Sequence, residues 1–532
     1  MTHTLRLAET PWVNGLVRDY LNRNEKVLPF IDHFPDWPAF DKLCQEKAAS
    51  FPIQHRNILV KQLELQYDAV QTTDLVRSHI QALKGPNTFT VTTGHQLNLF
   101  TGPLYFFYKI ITTINLANQL QKRHPAARFV PIYWMATEDH DFEEINHFNY
   151  ENQVLRWQHE HSPQAVGRLS TQGLEAFIPR LQVLLGDSER AQQLIALFEK
   201  AYVQSDTLAD ATRQLVNYWF QDAGLVVIDA DNKALKALFA PYVSKELQEQ
   251  VSLHEVTKTI DQFGSYPVQV QPRDLGLFYL RDGLRARITK KDNHFEVVDT
   301  PYTFSADEIN TELQEYPERF SPNVLLRPVY QEVILPNLAY IGGGAEISYW
   351  LQLKSTFKAF DIPYPMPIVR NSVLFWSARE QNRWMSHFDL TVSDLTFNEA
   401  KLKEKLVEKW SKSPLQFDDL KQQWRIQFDQ LRAWTKQTDA SFEGAVNAQE
   451  KKQLNGLENL EKRLQKAEIK AHQAQIAQVL QIRETMYPNG VLQERYANIT
   501  TLYKAVGPNL LPLLFDHIDP LAAQAVVLTY PD

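Results

Sequence analysis

Between Lys84 and Asp141 the chain alternates two kinds of apolar pattern, and the alternation predicts a strand, a helix and a strand. Thr88-Phe89-Thr90-Val91-Thr92 is a β-branched and aromatic run, the composition of a strand, and it meets Gly94 two residues on. Leu104, Phe107, Tyr108, Ile111 and Ile114 then repeat at helical spacing. Thr101 is the expected N-cap, Pro103 falls in the first turn where proline is tolerated, and the helix is expected to run to about His124. After Pro125, Phe129 to Ala136 is apolar enough to be covered on both faces, as strands of parallel sheets are. A crossover of this length makes the strands parallel, and its right-handedness puts both carboxyl ends on one edge of the sheet. Thr93-Gly94-His95-Gln96 and Glu138-Asp139-His140-Asp141 should therefore lie side by side, on the edge where open α/β sheets bind ligands.

The same pattern recurs. Leu225-Val226-Val227-Ile228 ends in Asp229 and Asp231, and Pro367-Ile368-Val369 leads into Arg370-Asn371-Ser372. Between them, residues 262 to 305 alternate apolar and polar positions around Asp282-Gly283, a hairpin signal. From Leu415 to Tyr487 there is no proline. Phe417, Leu420, Trp424, Phe428, Leu431 and Trp434 form one stripe there, and Leu457, Leu460, Leu464, Ala467, Ala471 and Ala474 a second. Two long helices turning near Ser441 to Gly444 are expected, with an outer stripe that a second copy would cover, giving a homodimer. The predicted organisation is an N-terminal helical cap (1–87), an α/β core (88–260), a β-rich insertion (261–310), the rest of the core (311–400), a helical hairpin (401–487) and a segment returning to the core (488–532).

With 532 residues the chain exceeds what one hydrophobic core supports. Its 44% hydrophobic and 22% charged residues are those of a globular protein, and no stretch approaches the roughly 18 apolar residues of a membrane span. A net charge of −8 offers nucleic acid no overall attraction. Arg281, Arg285 and Arg287 either hold a small anion or form a solvated basic face. The single cysteine, Cys44, excludes an internal disulfide and fits a reducing cytoplasm; its helical context suits a half-buried thiol rather than a nucleophile.

Two strand ends carry candidate chemistry. Beside Gly94, a ligand could approach the backbone, and a helix starting just beyond would turn its free N–H groups toward a phosphate or carboxylate. Glu138, Asp139, His140, Asp141, Glu143, Glu144 and His147 crowd like charges into ten residues, which is costly unless a cation, an amine or water offsets it. Three readings stay open: a metal site using His140 and His147, as in a metal-dependent hydrolase; an amine held by a carboxylate with His140 as general base; or a run of helix-capping acids. Farther on, Tyr340-Ile341-Gly342-Gly343-Gly344-Ala345-Glu346 sets a triple glycine before a helix, fit for a ligand or for close packing.

TTGHQLNLFTGPLYFFYKI, PIYWMATEDHDFEEINHF, SPNVLLRPVYQEVILPNLAYIGGGAEISYWLQL and YPNGVLQER, in this order over nearly the whole chain, resemble the bacillithiol biosynthesis cysteine-adding enzyme family. The resemblance implies a cysteine ligase that joins L-cysteine to the amine of glucosaminyl malate. It also implies a Rossmann-type core with inserted segments, akin to class I aminoacyl-tRNA synthetases and nucleotidylyl transferases, and a dimerising coiled coil. The family often has T-G-Q-Q where this chain has His95, closer to the histidine motif of the synthetases. Amide formation from a free carboxylate is uphill, so an activated cysteinyl carboxyl and an adenine nucleotide, ATP or ADP, are expected, with no metal required. Thr93, Gly94, His95 and Gln96 would contact the activated group, with Tyr340 and Glu346 beside it. Glu138, Asp139, His140 and Asp141 would hold and deprotonate the amine, and Arg327 and Arg370 would pair with the malate carboxylates. The nucleotide, implied near the coiled coil, has Asn489, Gly490, Gln493 and Arg495 as nearest candidates. A nucleotidyltransferase-like enzyme of other substrate is the remaining alternative.

Overall fold

The computed structural model describes residues 2–151, 153–159, 164–292, 294–412, 414–438 and 440–531. The chain forms two compact units, Met1–Phe375 with Val491–Pro531, and Trp376–Gly490.

The first unit is built on a five-stranded sheet: β1 (Thr88–His95), β2 (Arg128–Met135), β3 (Val226–Asp229), β4 (Asn337–Gly342) and β5 (Met366–Val369), in the spatial order β5-β4-β1-β2-β3. Every neighbouring pair is parallel. The chain steps outward from β1 in one direction through β2 and β3, then crosses back to β4 and β5, so the topological switch lies between β1 and β4. Register keeps the tips level: His95 lies beside Met135, and Thr93 beside Ile341. Burial follows the pattern, since β1 is covered from Thr88 to Gly94 and β2 from Phe129 to Met135.

The crossover helix α1 (Tyr105–Arg123) is buried on more than one stripe, with Phe106, Phe107, Tyr108, Ile110, Ile111, Ile114, Leu116 and Leu120 all covered. It starts later than predicted. Thr101 does not cap it; Phe100, Thr101 and Gly102 all take left-handed backbone (φ 48°, 70° and 62°), and Leu104 precedes the first turn. A Cβ on Gly102 would stand 2.6 Å from Asn98 Cβ, so glycine is required there. The Nδ2 of Asn498 ties the turn down, donating to the carbonyls of Phe100 (2.8 Å) and Gly102 (2.7 Å).

The segment before β1 is mostly helical, with helices Trp37–Ser50, Ile53–Gln66 and Asp74–Ala82. It opens on a strand, Thr2–Arg6, which pairs antiparallel with Gln524–Tyr530 from the other end of the chain. Burial and the neighbouring Asp41 push the Cys44 thiol up to about 12, which keeps it un-ionised. The expected hairpin around Asp282-Gly283 forms between Leu277–Arg281 and Leu284–Lys291, inside an antiparallel sheet that ends on Phe320–Pro322.

In the second unit, helices Asp418–Thr438 and Glu443–Ala471 form the hairpin, joined through Ala440–Phe442. The second predicted helix is two, since a further helix, Gln473–Met486, begins after His472. Lys421–Glu461 (2.6 Å) and Arg432–Glu450 (2.5 Å) clip the pair together. Leu420, Leu431, Trp434 and Leu460 of the predicted stripes remain exposed. No helix among the described residues is long and apolar enough to cross a membrane.

Candidate active site

A cavity of ≈ 400 Å³ opens at the carboxyl edge of the central sheet, at the switch between β1 and β4. Four of the five strand ends contribute: Gly94 and His95 at the end of β1 with Gln96 beyond them, Thr137, Glu138 and Asp139 after β2, Gly343 and Glu346 after β4, and Arg370 after β5. Tyr105 from α1, Arg285, Arg327, Tyr340, Tyr349 and Arg495 complete the wall.

The β1 tip differs from a turn feeding a helix. Gly94 lies within the strand, and a Cβ there would make only ordinary contact, 3.4 Å from Tyr340 Oη. Nine residues, Gln96 to Leu104, separate the strand from α1, so the N-terminus of α1 does not follow directly on Gly94. The expected anion cradle of backbone N–H groups is absent at this place, and side chains supply the polarity. His95 is half-buried against Tyr105 and Phe106, its Nε2 without a hydrogen-bond partner. Burial, helped by the Lys109 and Arg370 cations, pulls its pKa down to about 3, so the ring is neutral across the physiological range. Thr93 is wholly buried, and its hydroxyl donates to the Ile341 carbonyl at 2.8 Å.

Lys109 was not singled out by sequence. It lies beneath the floor, 2% exposed, donating to the Gly94 carbonyl and to Glu346 (2.9 Å). Glu346 also accepts from Tyr340 Oη (2.8 Å) and from the Gly343 N–H (2.9 Å). That carboxylate caps its own helix, which leaves the triple-glycine turn without a free N–H at Gly343. Burial raises the Glu346 pKa, but Lys109 and these hydrogen bonds outweigh it and hold the group below the usual carboxylate range. The only sequence signal was a lysine inside Phe106-Phe107-Tyr108-Lys109-Ile110-Ile111, a charge the apolar face must bury.

At the β2 tip, the two adjacent acids diverge. Glu138, 13% exposed, is paired at 2.5 Å with Nζ of the buried Lys236, which also meets Asp231 at 3.2 Å. Burial raises its pKa, Lys236 lowers it, Asp231 raises it, and the net direction is up. Asp139 accepts from the His140 backbone N–H (2.8 Å) and from Gln96 Nε2 (2.8 Å), with His140 Nδ1 3.5 Å away; burial raises its pKa, but the His140 side chain, these bonds and Arg285 outweigh it and keep it well below the usual range. Two neighbouring carboxyls therefore have opposite proton affinities, the arrangement that separates an anchor from a base.

The rest of the acidic run disperses. Asp141 is exposed and caps Phe142–Ile145 by accepting from the Glu144 N–H at 3.2 Å. Glu143 pairs with Arg156 at 3.2 Å, Glu144 accepts from Gln96 at 2.7 Å, and His147 Nδ1 lies 3.2 Å from Asn146 Oδ1. Among the described residues, no three His, Cys, Asp or Glu side chains converge as a metal-holding group. His140 does not line the pocket. Its Nδ1 is 2.7 Å from Arg285 Nη1, and since a guanidinium N–H only donates, Nδ1 accepts and the ring has no lone pair left on that side.

Of the residues expected to bind carboxylates, Arg327 spends Nη1 on Gln331 (3.1 Å) and lies over the Tyr340 ring. Both terminal nitrogens of Arg370 grip buried Glu494, at 2.8 and 2.7 Å, leaving Nε buried and without a partner. The expected nucleotide group is split. Asn489 and Gly490 form a left-handed turn in the second unit, while Gln493 in the first is spent on the Phe375 backbone, donating to its carbonyl (2.9 Å) and accepting from its N–H (2.8 Å). Arg495 alone lines the pocket, and it is exposed.

One glycine sets the β2 tip in place. Gly167 donates its N–H to the Thr137 carbonyl (2.8 Å), and a Cβ on it would stand 2.6 Å from Thr137 Cβ. Gly167→Ala is expected to cost about 1–3 kcal/mol by overpacking and to displace Glu138 and Asp139, lowering turnover as well as the melting temperature. Calorimetric melting with a rate measurement checks this; an unchanged melting temperature would show the contact to be pliable.

Comparison with known proteins places the whole chain. The family described as Bacillithiol biosynthesis BshC, N-terminal Rossmann-like domain, matches residues 1–371, and Bacillithiol biosynthesis BshC, C-terminal coiled-coil domain, matches residues 376–530. Relatives described as "Putative cysteine ligase BshC" include one from Flavobacterium johnsoniae, 46% identical with 99% of each chain covered. One from Christiangramia forsetii is 42% identical over 99% of each chain. One from Bacillus cereus is 28% identical over 91% of this chain and 92% of its own.

Proposed function

The chain belongs to the bacillithiol biosynthesis BshC family, and from that premise we propose that it is a ligase joining the carboxyl group of L-cysteine to the amine of glucosaminyl malate. The observation that carries this reading is the divergence of Glu138 and Asp139 at the switch-point pocket. Asp139, ionised throughout the physiological range, anchors the acceptor ammonium. Glu138, whose proton affinity is raised, takes the proton as the amine nitrogen forms its bond to the activated cysteinyl carbon and the leaving group departs. His140, committed to Arg285 through Nδ1, does not take that proton; the role passes to Glu138. His95, neutral and with Nε2 free, hydrogen-bonds the reacting carboxyl oxygens.

An adenine nucleotide supplies the free energy of activation when bound. The lining fits an anionic group, because Arg370 Nε and His95 Nε2 are buried without partners and Arg495 is exposed at the same wall. We also propose that the exposed Leu420, Leu431, Trp434 and Leu460 pair with a second copy to make a homodimer. The test of the ligase reading is incubation of the full chain with glucosaminyl malate, L-cysteine and ATP, followed by mass spectrometry. The expected product is the cysteinyl amide with one nucleotide cleaved per amide; a folded protein that forms no amide under these conditions sinks the reading.

A further inference from the structure

The basic group Arg281, Arg285 and Arg287 divides in the structure. In the hairpin, Phe278 pairs with Arg287 and Leu280 with Arg285, so the pleat sets these four on one face. Arg281 takes the other, where Nη2 lies 3.7 Å from Glu312. On the face with Phe278 there is a second cavity, ≈ 1050 Å³, whose wall includes Arg273, Arg285, Arg287 and His140. Asp139, Arg285, Asn323 and Val324 line both this cavity and the active-site pocket, which makes it a second lobe of the same site.

Three arginines line this lobe against two acids, Asp139 and Asp299. Asp139 is already engaged by Gln96 and His140. Arg285 is 8% exposed, its carbon 3.9 Å from the Phe278 ring centroid, and its Nε is buried with no partner. Cations gathered around one hollow repel each other, and a planar fork with an unused donor is suited to a carboxylate. Of the pair expected to bind carboxylates, Arg370 has both terminal nitrogens committed to Glu494, while Arg327 gives Nη1 to Gln331 and keeps a buried Nη2 without a partner in the strand-tip pocket.

We propose that the lobe formed by Arg273, Arg285 and Arg287 holds the dicarboxylate end of the acceptor, with Asp139 at the junction taking its amine. This assignment rests on the ligase reading for the identity of the acceptor. The lobe, rather than the strand-tip pocket, then decides which amines are accepted.

Nucleotide phosphates share this anion chemistry, so the experiment separates the two sources. The full chain is titrated calorimetrically, without cysteine, against glucosaminyl malate, its dimethyl ester and ATP in turn. Arg287→Ala and Arg273→Ala are expected to weaken glucosaminyl malate about ten- to a hundredfold, as loss of a charge-assisted hydrogen bond does, and to bind the ester and ATP as the wild type does. Unchanged binding of the acid, equal losses for acid and ester, absence of binding by the wild type, or a loss confined to ATP would each overturn the assignment. Turnover is not needed for this measurement. A wild type that binds the acid through these arginines yet makes no amide keeps the lobe and discards the ligase reading; amide formation with arginine-independent acceptor binding does the reverse.

Discussion

Glu138→Gln is expected to lower kcat about 10²- to 10⁴-fold, the range for loss of a positioned general base, with the fold intact because the amide fills the same space. The pH profile carries the distinguishing information. Burial and Asp231 raise the Glu138 pKa while Lys236 lowers it. The base works only when ionised, so turnover falls as pH falls through that raised value. Lys236→Met removes the lowering partner and leaves the burial, which moves the acid limb of the profile to higher pH. Measuring kcat against pH for wild type and Lys236→Met, with circular dichroism to verify folding, checks both statements. Glu138→Gln turnover within tenfold of wild type, or an acid limb that stays in place, would remove Glu138 as the base.

Lys109→Met is expected to lower stability by up to about 3–5 kcal/mol, because it takes a buried cation away from the Glu346 carboxylate, which the pocket leaves 27% exposed. The same change frees the Gly94 carbonyl and so loosens the seat of His95. Replacing both partners, Lys109→Met with Glu346→Gln, should recover much of the loss, since no charge is then stranded. The pair also sets an acid limit. The Glu346 pKa is lower folded than unfolded, so as pH drops the unfolded chain takes the proton first. The stabilisation is full above the ordinary glutamate range and is lost as pH falls through the depressed folded value. Urea melts from neutral to acid pH should show this loss in the wild type and less of it in the double variant; identical acid dependence would show that the pair contributes little.

What the sequence revealed and what it concealed separate by the range of the interaction. The parallel βαβ unit was legible because its determinants are local: period-two and fully apolar runs, a helical stripe and a crossover too long for a hairpin. Chirality then brought Gly94-His95-Gln96 beside Glu138 and Asp139 without knowledge of any side chain. The start of α1 was misplaced because Phe100 to Gly102 are held left-handed by Asn498, some four hundred residues away. Arg370 looked free for the same reason, since Glu494 is 124 residues distant. Lys236 lies on an otherwise ordinary amphipathic helix and gave no sign that it would meet Glu138. His140 and Asp141 drew attention as members of a dense run, but density along the chain does not fix direction. Beyond the end of β2 at Met135, backbone geometry places Asp139 in the pocket wall and turns Asp141 to cap a helix turn.

The antiparallel pairing of Thr2 with Leu528 and of Arg6 with Gln524 bears on how the molecule is made. About five hundred residues separate these two strands along the chain, so the first is made with its edge unsatisfied and waits for the second. Loop closure over such a span costs little more at equilibrium than over a shorter one, yet it delays the rate at which the pairing is found. The β1 to α1 corner, which also depends on Asn498, waits with it. Until residue 498 is made, the corner at Phe100 to Gly102 lacks the side chain that secures it.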